Sequence, residues 1–226
     1  TTASNNTAVG FQAAYSNTTG AQITAVGQSA LKLNTTGAYN NAFGYQALND
    51  NTTGNYNAAF GSQALASNTT ANFNTTVGYQ SGYSNTTGAS NTVMGDRALY
   101  GNTTGGYNVA MGGEALRSNT TASNNTAVGY QAAYNNTTGQ EITAVGRFAL
   151  NANTTGSNST ATGVQSLQSN TTGADNASFG RLGLGANTTG SNNTSVGSAA
   201  LRNNTTASYN TAVGYQAGFS NTTGEV

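Results

Sequence analysis

The chemistry open to this chain is narrow. Its 226 residues include no Cys and no His, which excludes disulfides, thiolate metal sites, cysteine nucleophiles and histidine general bases. No catalytic, cofactor-binding or metal-ligating residue is expected. Glu141 and Asp175 occupy equivalent places two repeats apart, ~9.6 Å at the strand spacing, which is near the separation of an inverting glycosidase pair. Nothing else supports a sugar-cleaving site, so two solvated carboxylates are the better reading. Calcium-binding repeats of the G-G-x-G-x-D type need an Asp in every turn, and the chain has three Asp in all. Six basic residues balance six acidic ones, and no basic patch exists for nucleic acid. Arg97 and Glu114, in equivalent places of consecutive repeats, read as a ladder ion pair.

One motif recurs at every repeat boundary. N-T-T is a formal N-glycosylation sequon, at Asn17, Asn34, Asn51, Asn68, Asn85, Asn102, Asn119, Asn136, Asn153, Asn170, Asn187, Asn204 and Asn221. Stacked repeats would set these asparagines in one line, a glycan-bearing ridge. The competing reading is a polar turn, since Asn tolerates left-handed backbone and Thr bonds locally. The Thr-Thr pairs also invite an ice-binding reading. Adjacent residues of an extended chain point to opposite sides, so a pair presents one Thr per repeat, and a turn-forming role is favoured.

The elements that position these residues follow from the period. A 17-residue unit, T-T-G-x-x-N-T-A-V-G-x-Q-A-L-x-x-N, repeats 13 times without insertion or deletion and is followed by a partial unit, 222–226. An array so constant in length requires each turn to stack on the next in fixed register. Numbering each repeat 1 to 17 from Thr1, position 10 is always glycine: Gly10, Gly27, Gly44, Gly61, Gly78, Gly95, Gly112, Gly129, Gly146, Gly163, Gly180, Gly197 and Gly214. An invariant Gly marks a backbone shape or a close approach that a Cβ would forbid. Two short strands are expected, at about positions 6 to 9 and 11 to 14, bent around this turn glycine. The predicted fold is all-β, a parallel β-solenoid or β-roll over residues 1–226. At ~4.8 Å per turn it would be a rod roughly 60 Å long.

Composition agrees with an ordered array. Leu, Ile, Val and Phe make up only 31 of 226 residues, a level found in disordered chains. Those chains, however, carry high net charge and abundant Pro, whereas this one has zero formal net charge and no Pro. Asn at position 6, in ten of 13 repeats, is expected to form amide ladders. Tyr45, Tyr79, Tyr130 and Tyr215 at position 11 read as a ladder of surface aromatics. Position 3 is Gly in nine repeats and Ala in four. Those four also lose Leu at position 14 and gain an aromatic at 15, as in Ala14-Tyr15, Gly82-Tyr83, Ala133-Tyr134 and Gly218-Phe219. A volume-conserving swap at a shared site would explain this, as would common descent of these repeats.

Each repeat offers about two large apolar side chains and a few alanines, a thin core, so each coil is expected to lean on other chains. No apolar run approaches a membrane span. The chain begins without Met in mid-array and stops in mid-repeat, with no capping repeat at Thr1 or Val226. It therefore reads as a mature product or a segment of a longer protein, with open strand edges that favour self-association.

The run N-T-A-V-G-Y-Q-A-A at Asn125 to Ala133, with relatives at Asn6, Asn193 and Asn210, resembles the head repeats of YadA-like trimeric autotransporter adhesins. Their core is A-[IV]-G followed by a small residue, here Ala127-Val128-Gly129 and Ala132. The same style of repeat, spaced by N-T-T-G, is similar to arrays in phage and bacterial tail fibres. The 17-residue length and the N-T-T-G segment depart from the commonly shorter adhesin repeat. The resemblance implies a surface-exposed, fibrous, self-associating β-roll used for attachment, and no enzyme. The expected function is thus a structural or adhesive shaft of an extracellular or virion surface fibre. Its partners would be copies of itself, as a homotrimer or an axial filament, and a host-surface receptor or glycan. Nucleic-acid binding and membrane insertion are not expected. Two alternatives are a glycan-coated self-polymerising filament subunit and an ice- or carbohydrate-binding solenoid.

Overall fold

A computed structural model describes residues 3–224. Thr1, Thr2, Glu225 and Val226, on which the reading of uncapped ends rests, lie outside the described residues. The chain is an all-β parallel solenoid, one 17-residue coil per repeat, with no helix among the described residues. Each coil contributes one three-residue strand: β1 (Thr7–Val9), β2 (Thr24–Val26), β3 (Asn41–Phe43), β4 (Ala58–Phe60), β5 (Thr75–Val77), β6 (Thr92–Met94), β7 (Val109–Met111), β8 (Thr126–Val128), β9 (Thr143–Val145), β10 (Thr160–Thr162), β11 (Ala177–Phe179), β12 (Thr194–Val196) and β13 (Thr211–Val213). The chain packs as two compact bodies, divided between Met111 and Gly112. Within the first, β1 to β7 pair successively in parallel, with Thr7 opposite Thr24 and Thr92 opposite Val109. Within the second, β8 to β13 do the same. Every register step is 17 residues, so no coil can gain or lose a residue without shifting its whole ladder.

The second strand expected at positions 11 to 14 is not there. That stretch is a run of turns in which positions 12 and 14 hold positive φ in every coil, for example Gln131 (52°) and Ala133 (51°). Position 5 is also left-handed throughout, from Asn5 (59°) to Tyr209 (63°). Left-handed backbone crowds an L side chain and costs ~1 to 2 kcal/mol per residue, most for β-branched types. Thr, Val and Ile together number 52 of 226 residues, yet none occupies any of the 39 places at positions 5, 12 and 14. The left-handed turns are held because their N–H groups bond between coils. Gln131 donates to Gly113 O at 3.0 Å, Ala133 to Ala149 O at 2.9 Å and Glu141 to Ser123 O at 3.4 Å.

Position 10 behaves as its invariance requires. Its φ lies between 127° and 141° in all coils, a region open to Gly alone. A Cβ on Gly129 would also sit 2.7 Å from the carbonyl carbon and oxygen of Gly146 in the next coil.

The interior is narrow. Only one of the two large apolar positions reaches it: Leu at 14, fully buried at Leu31, Leu48, Leu116 and Leu150, against alanines at 8 and 13 such as Ala25, Ala30, Ala144 and Ala149. Strand residue 8 points in, so residue 9 must point out. The shared-site account of the 3, 14 and 15 correlation fails on this geometry. At position 14, a side chain on Gly82 would meet Leu65 and Thr76, whereas the neighbours of Gly139 at position 3 are Asn136, Asn153 and Gly156. The aromatics at 15 lie at the surface, Tyr83 stacking on Tyr100 at 5.2 Å.

Candidate functional site

The N-T-T boundary splits three ways. Its asparagine turns inward, and from Asn34 to Asn204 these side chains are at most 1% exposed. From Asn34 to Asn102 and from Asn136 to Asn204, Nδ2 donates twice, once to Oδ1 of the equivalent Asn one coil earlier and once to the position-3 carbonyl three residues on. Asn153 is representative, at 2.8 Å to Asn136 Oδ1 and 2.8 Å to Gly156 O, and its own Oδ1 accepts from Asn170 at 2.8 Å. The first Thr is half-buried and spends its hydroxyl on the next coil, as Thr137 Oγ1 does on Thr154 O at 2.9 Å. The second Thr, such as Thr138, is exposed.

This geometry corrects the glycan-ridge reading. The atom that would carry the sugar is Nδ2, and for Asn34, Asn51, Asn68, Asn85, Asn102, Asn119, Asn136, Asn153, Asn170, Asn187 and Asn204 it lies inside the coil. A glycan there would have to displace an amide ladder and a carbonyl bond from a space with no room for it. Asn17 and Asn221, in the first and last coils, are half-buried and make the same Nδ2 bonds, to Gly20 O and Gly224 O at 2.8 Å. The sequon arises because Asn and Thr are the residues this boundary needs. The Thr-Thr pair presents one outward hydroxyl per coil, as expected of a structural turn.

Outside, the strands present an apolar row. Position 9 is 36% to 69% exposed at Val9, Phe43, Phe60, Met94 and Met111 in the first body and at Phe179, Val196 and Val213 in the second. Phe43 and Phe60 stack at 5.0 Å on neighbouring strands. The expected aromatic ladder at position 11 is replaced by one at position 5, where Tyr39, Tyr56 and Phe73 stack in sequence at 4.7 and 5.1 Å. Tyr79 and Tyr130 are exposed, and the next coil carries no aromatic at position 11 beside either. Tyr79 lies under the Arg97 guanidinium at 5.7 Å, and Tyr130 meets Phe148 edge-on at 5.7 Å.

Position 12 carries a third side-chain track. Gln80 Nε2 donates to Gln63 Oε1 at 2.9 Å, and Arg97 Nε reaches Gln80 Oε1 at 3.4 Å. Glu114 accepts from Gln131 at 2.7 Å and pairs with Arg117 at 3.7 Å; Arg97, the partner expected for Glu114, belongs to the first body. Glu141 and Asp175 are both exposed, and Asp175 Oδ1 accepts from Asn158 at 3.2 Å. Among the described residues no group of three or more His, Cys, Asp or Glu could hold a metal ion. No helix of the described residues is long and apolar enough to cross a membrane.

These features define the chain as a parallel β-solenoid repeat protein whose coils, in each body, bury Leu and Ala beside asparagine amides and set mostly apolar side chains outward from the strands. Compared with known proteins, it matches no family model, no curated protein and no solved structure.

Proposed function

We propose that this chain is a structural, adhesive shaft segment of an extracellular or virion surface fibre, performs no catalysis, and assembles as a homotrimer. The observation that carries the proposal is the outward row at position 9. Exposed Val, Phe and Met recurring on one sheet face, broken at Thr162, mark an association surface, and the narrow interior gives these side chains no inward alternative. The partner that fits a row repeating once per coil is another copy, whose row repeats at the same strand spacing. Three parallel copies around one axis would bury all three rows together, the arrangement that the resemblance to trimeric adhesin repeats implies. A host-surface receptor or glycan would meet the remaining outer surface. The glycan-coated filament is not carried forward, because the sequon amides are interior.

Sedimentation of the purified chain at micromolar concentration is expected to give a trimer. Replacing both Phe43 and Phe60 with Ser should shift it toward monomer while the far-ultraviolet spectrum is retained. A wild-type chain that stays a folded monomer would refute the proposal. A mass that grows steadily with concentration would favour the axial filament instead.

A further inference from the structure

Coil 171–187 departs from the others at position 15. The other twelve coils carry a side chain there, and Gly185 carries none. The gap opens a groove of about 370 Å³ within the second body, between Gln168 of the preceding coil and Arg202 of the following one. Arg181 joins Arg202 at its wall, and Gln165, Ser169 and Asn203 complete a polar rim over the apolar surface of Leu182. The chain has only six basic residues, and two of them converge here. No carboxylate lines the groove. Arg202 is steadied by the Phe219 ring, 5.7 Å below its guanidinium, a cation–π contact that limits how far it can turn away.

Two guanidiniums without an acidic partner, beside three side-chain amides and a hydroxyl, make an arrangement suited to one ligand chemistry. Guanidinium forks bind carboxylate, sulfate and phosphate oxygens in pairs. Amides and hydroxyls match the alternating donors and acceptors of a polyol, and the Leu182 floor suits the apolar face of a sugar ring. The volume lies within the range of small-molecule sites.

We propose that the Gly185 groove binds an acidic sugar, with Arg181 and Arg202 holding its anionic group and Gln165, Gln168 and Asn203 its hydroxyls. This inference stands apart from the assembly proposed above, since every lining residue comes from a single chain.

Calorimetric titration of the full chain tests it, with tri-galacturonate, its neutral methyl ester and inorganic phosphate as probes. Tri-galacturonate is expected to bind saturably, and the methyl ester at least about ten-fold more weakly, as loss of a charge-assisted bond requires. Arg181→Gln and Arg202→Gln should each weaken binding by about ten-fold. Gly185→Gln, which installs the side chain the preceding coil already carries at this position, should abolish it. Arg147→Gln, outside the groove, should leave affinity unchanged. Arg147, Arg181 and Arg202 are exposed, so spectra and melting of their variants should match the parent; at Gly185, where a Cβ would lie 3.1 Å from Leu182 O, a retained far-ultraviolet spectrum shows that the loss of binding is not a loss of fold. Absence of saturable tri-galacturonate binding would overturn the proposal, as would equal binding by Gly185→Gln. Phosphate binding as tightly as the saccharide would overturn the sugar assignment and leave a simple anion site.

Discussion

Two buried amide tracks run through the coils, and they differ in how much variation they accept. The track at position 17 is Asn in every repeat, whereas the track at position 6 is interrupted by Ile23, Ile142 and Ser159. Both kinds of amide donate to the same position-3 carbonyl. Gly139 O, for example, receives Asn125 Nδ2 at 3.0 Å and Asn136 Nδ2 at 2.9 Å. Where Ile replaces Asn at position 6, the position-17 amide still reaches that carbonyl. The Ile also keeps its own N–H bonded, Ile142 donating to Asn125 Oδ1 at 3.0 Å. Ser159 partly substitutes, its Oγ accepting from Asn176 N at 3.2 Å. At that carbonyl each amide backs up the other, but within each body only the position-17 amide also donates to its equivalent one coil earlier at every step, at 2.7 to 3.2 Å. Redundancy in bonding, more than burial, decides which of two interior polar residues can vary.

Both tracks depend on the coil spacing that position 10 sets, so the largest effect is expected there. Gly129→Val combines a φ closed to side chains with overlap onto Gly146, and should remove several kcal/mol, of order 4 or more. Gly139→Ala should cost far less. A methyl there would lie 2.5 Å from Asn136 Oδ1 and closer still to the Gly156 carbonyl, yet Ala71, Ala122 and Ala207 occupy the same place. The carbonyls of these alanines accept from the same amide track at 3.0 to 3.2 Å. Thermal melts of the two variants compare them directly, and equal melting would remove position 10 from its role.

The comparison sharpens at Asn153. Because Ile142 stands in the other track, Gly156 O depends on Asn153 alone for a side-chain donor, whereas Gly139 O has two. Asn153→Ala is expected to cost about 3 kcal/mol and Asn136→Ala roughly 1 kcal/mol less, from the penalty of an unsatisfied buried carbonyl. Hydrogen exchange of the flanking coils reads the difference, and the reverse order would break the redundancy argument. The smallest effect belongs to the tolerant track. Asn193→Ile should cost about 1 to 2 kcal/mol, because Ala207 O keeps its bond from Asn204 at 3.0 Å while Asn210 loses the Asn193 Oδ1 acceptor. A loss as large as that of Asn153→Ala would show the tracks to be equivalent.

Much of this architecture is legible in the repeat itself. The constant 17-residue length dictates the stacking register, and Gly10 with its equivalents announces a turn closed to side chains. The amide ladder follows from Asn recurring at position 6. Three features were obscured, each for a physical reason. Asn17 and its equivalents sit in an N-T-T string whose composition is that of a solvated turn, and nothing in it distinguishes a side chain turned inward. Val9, Phe43 and Met94 look like core because they are large, but beside Leu the inward strand position is filled by Ala, Ser or Thr, with Val93 its largest occupant. The left-handed stretch at 12 and 14 resembles a strand by its alternation of Gln, Ala and Leu. Its signal is negative: β-branched residues are missing from positions 5, 12 and 14 of a chain rich in them.

The position-17 track also bears on how such a chain changes length over generations. Each coil offers its neighbour the same amide acceptor on one side and the same amide donor on the other, so any two coils make an acceptable junction. Deleting Thr137 to Asn153 would bring Asn136 and Asn170 together as ladder partners with no new contact to invent. The gene can therefore lose or copy segments encoding whole coils by misaligned recombination and still specify a folded product. Reach then becomes a quantity that drifts and is selected in steps of one coil, ~4.8 Å at a time.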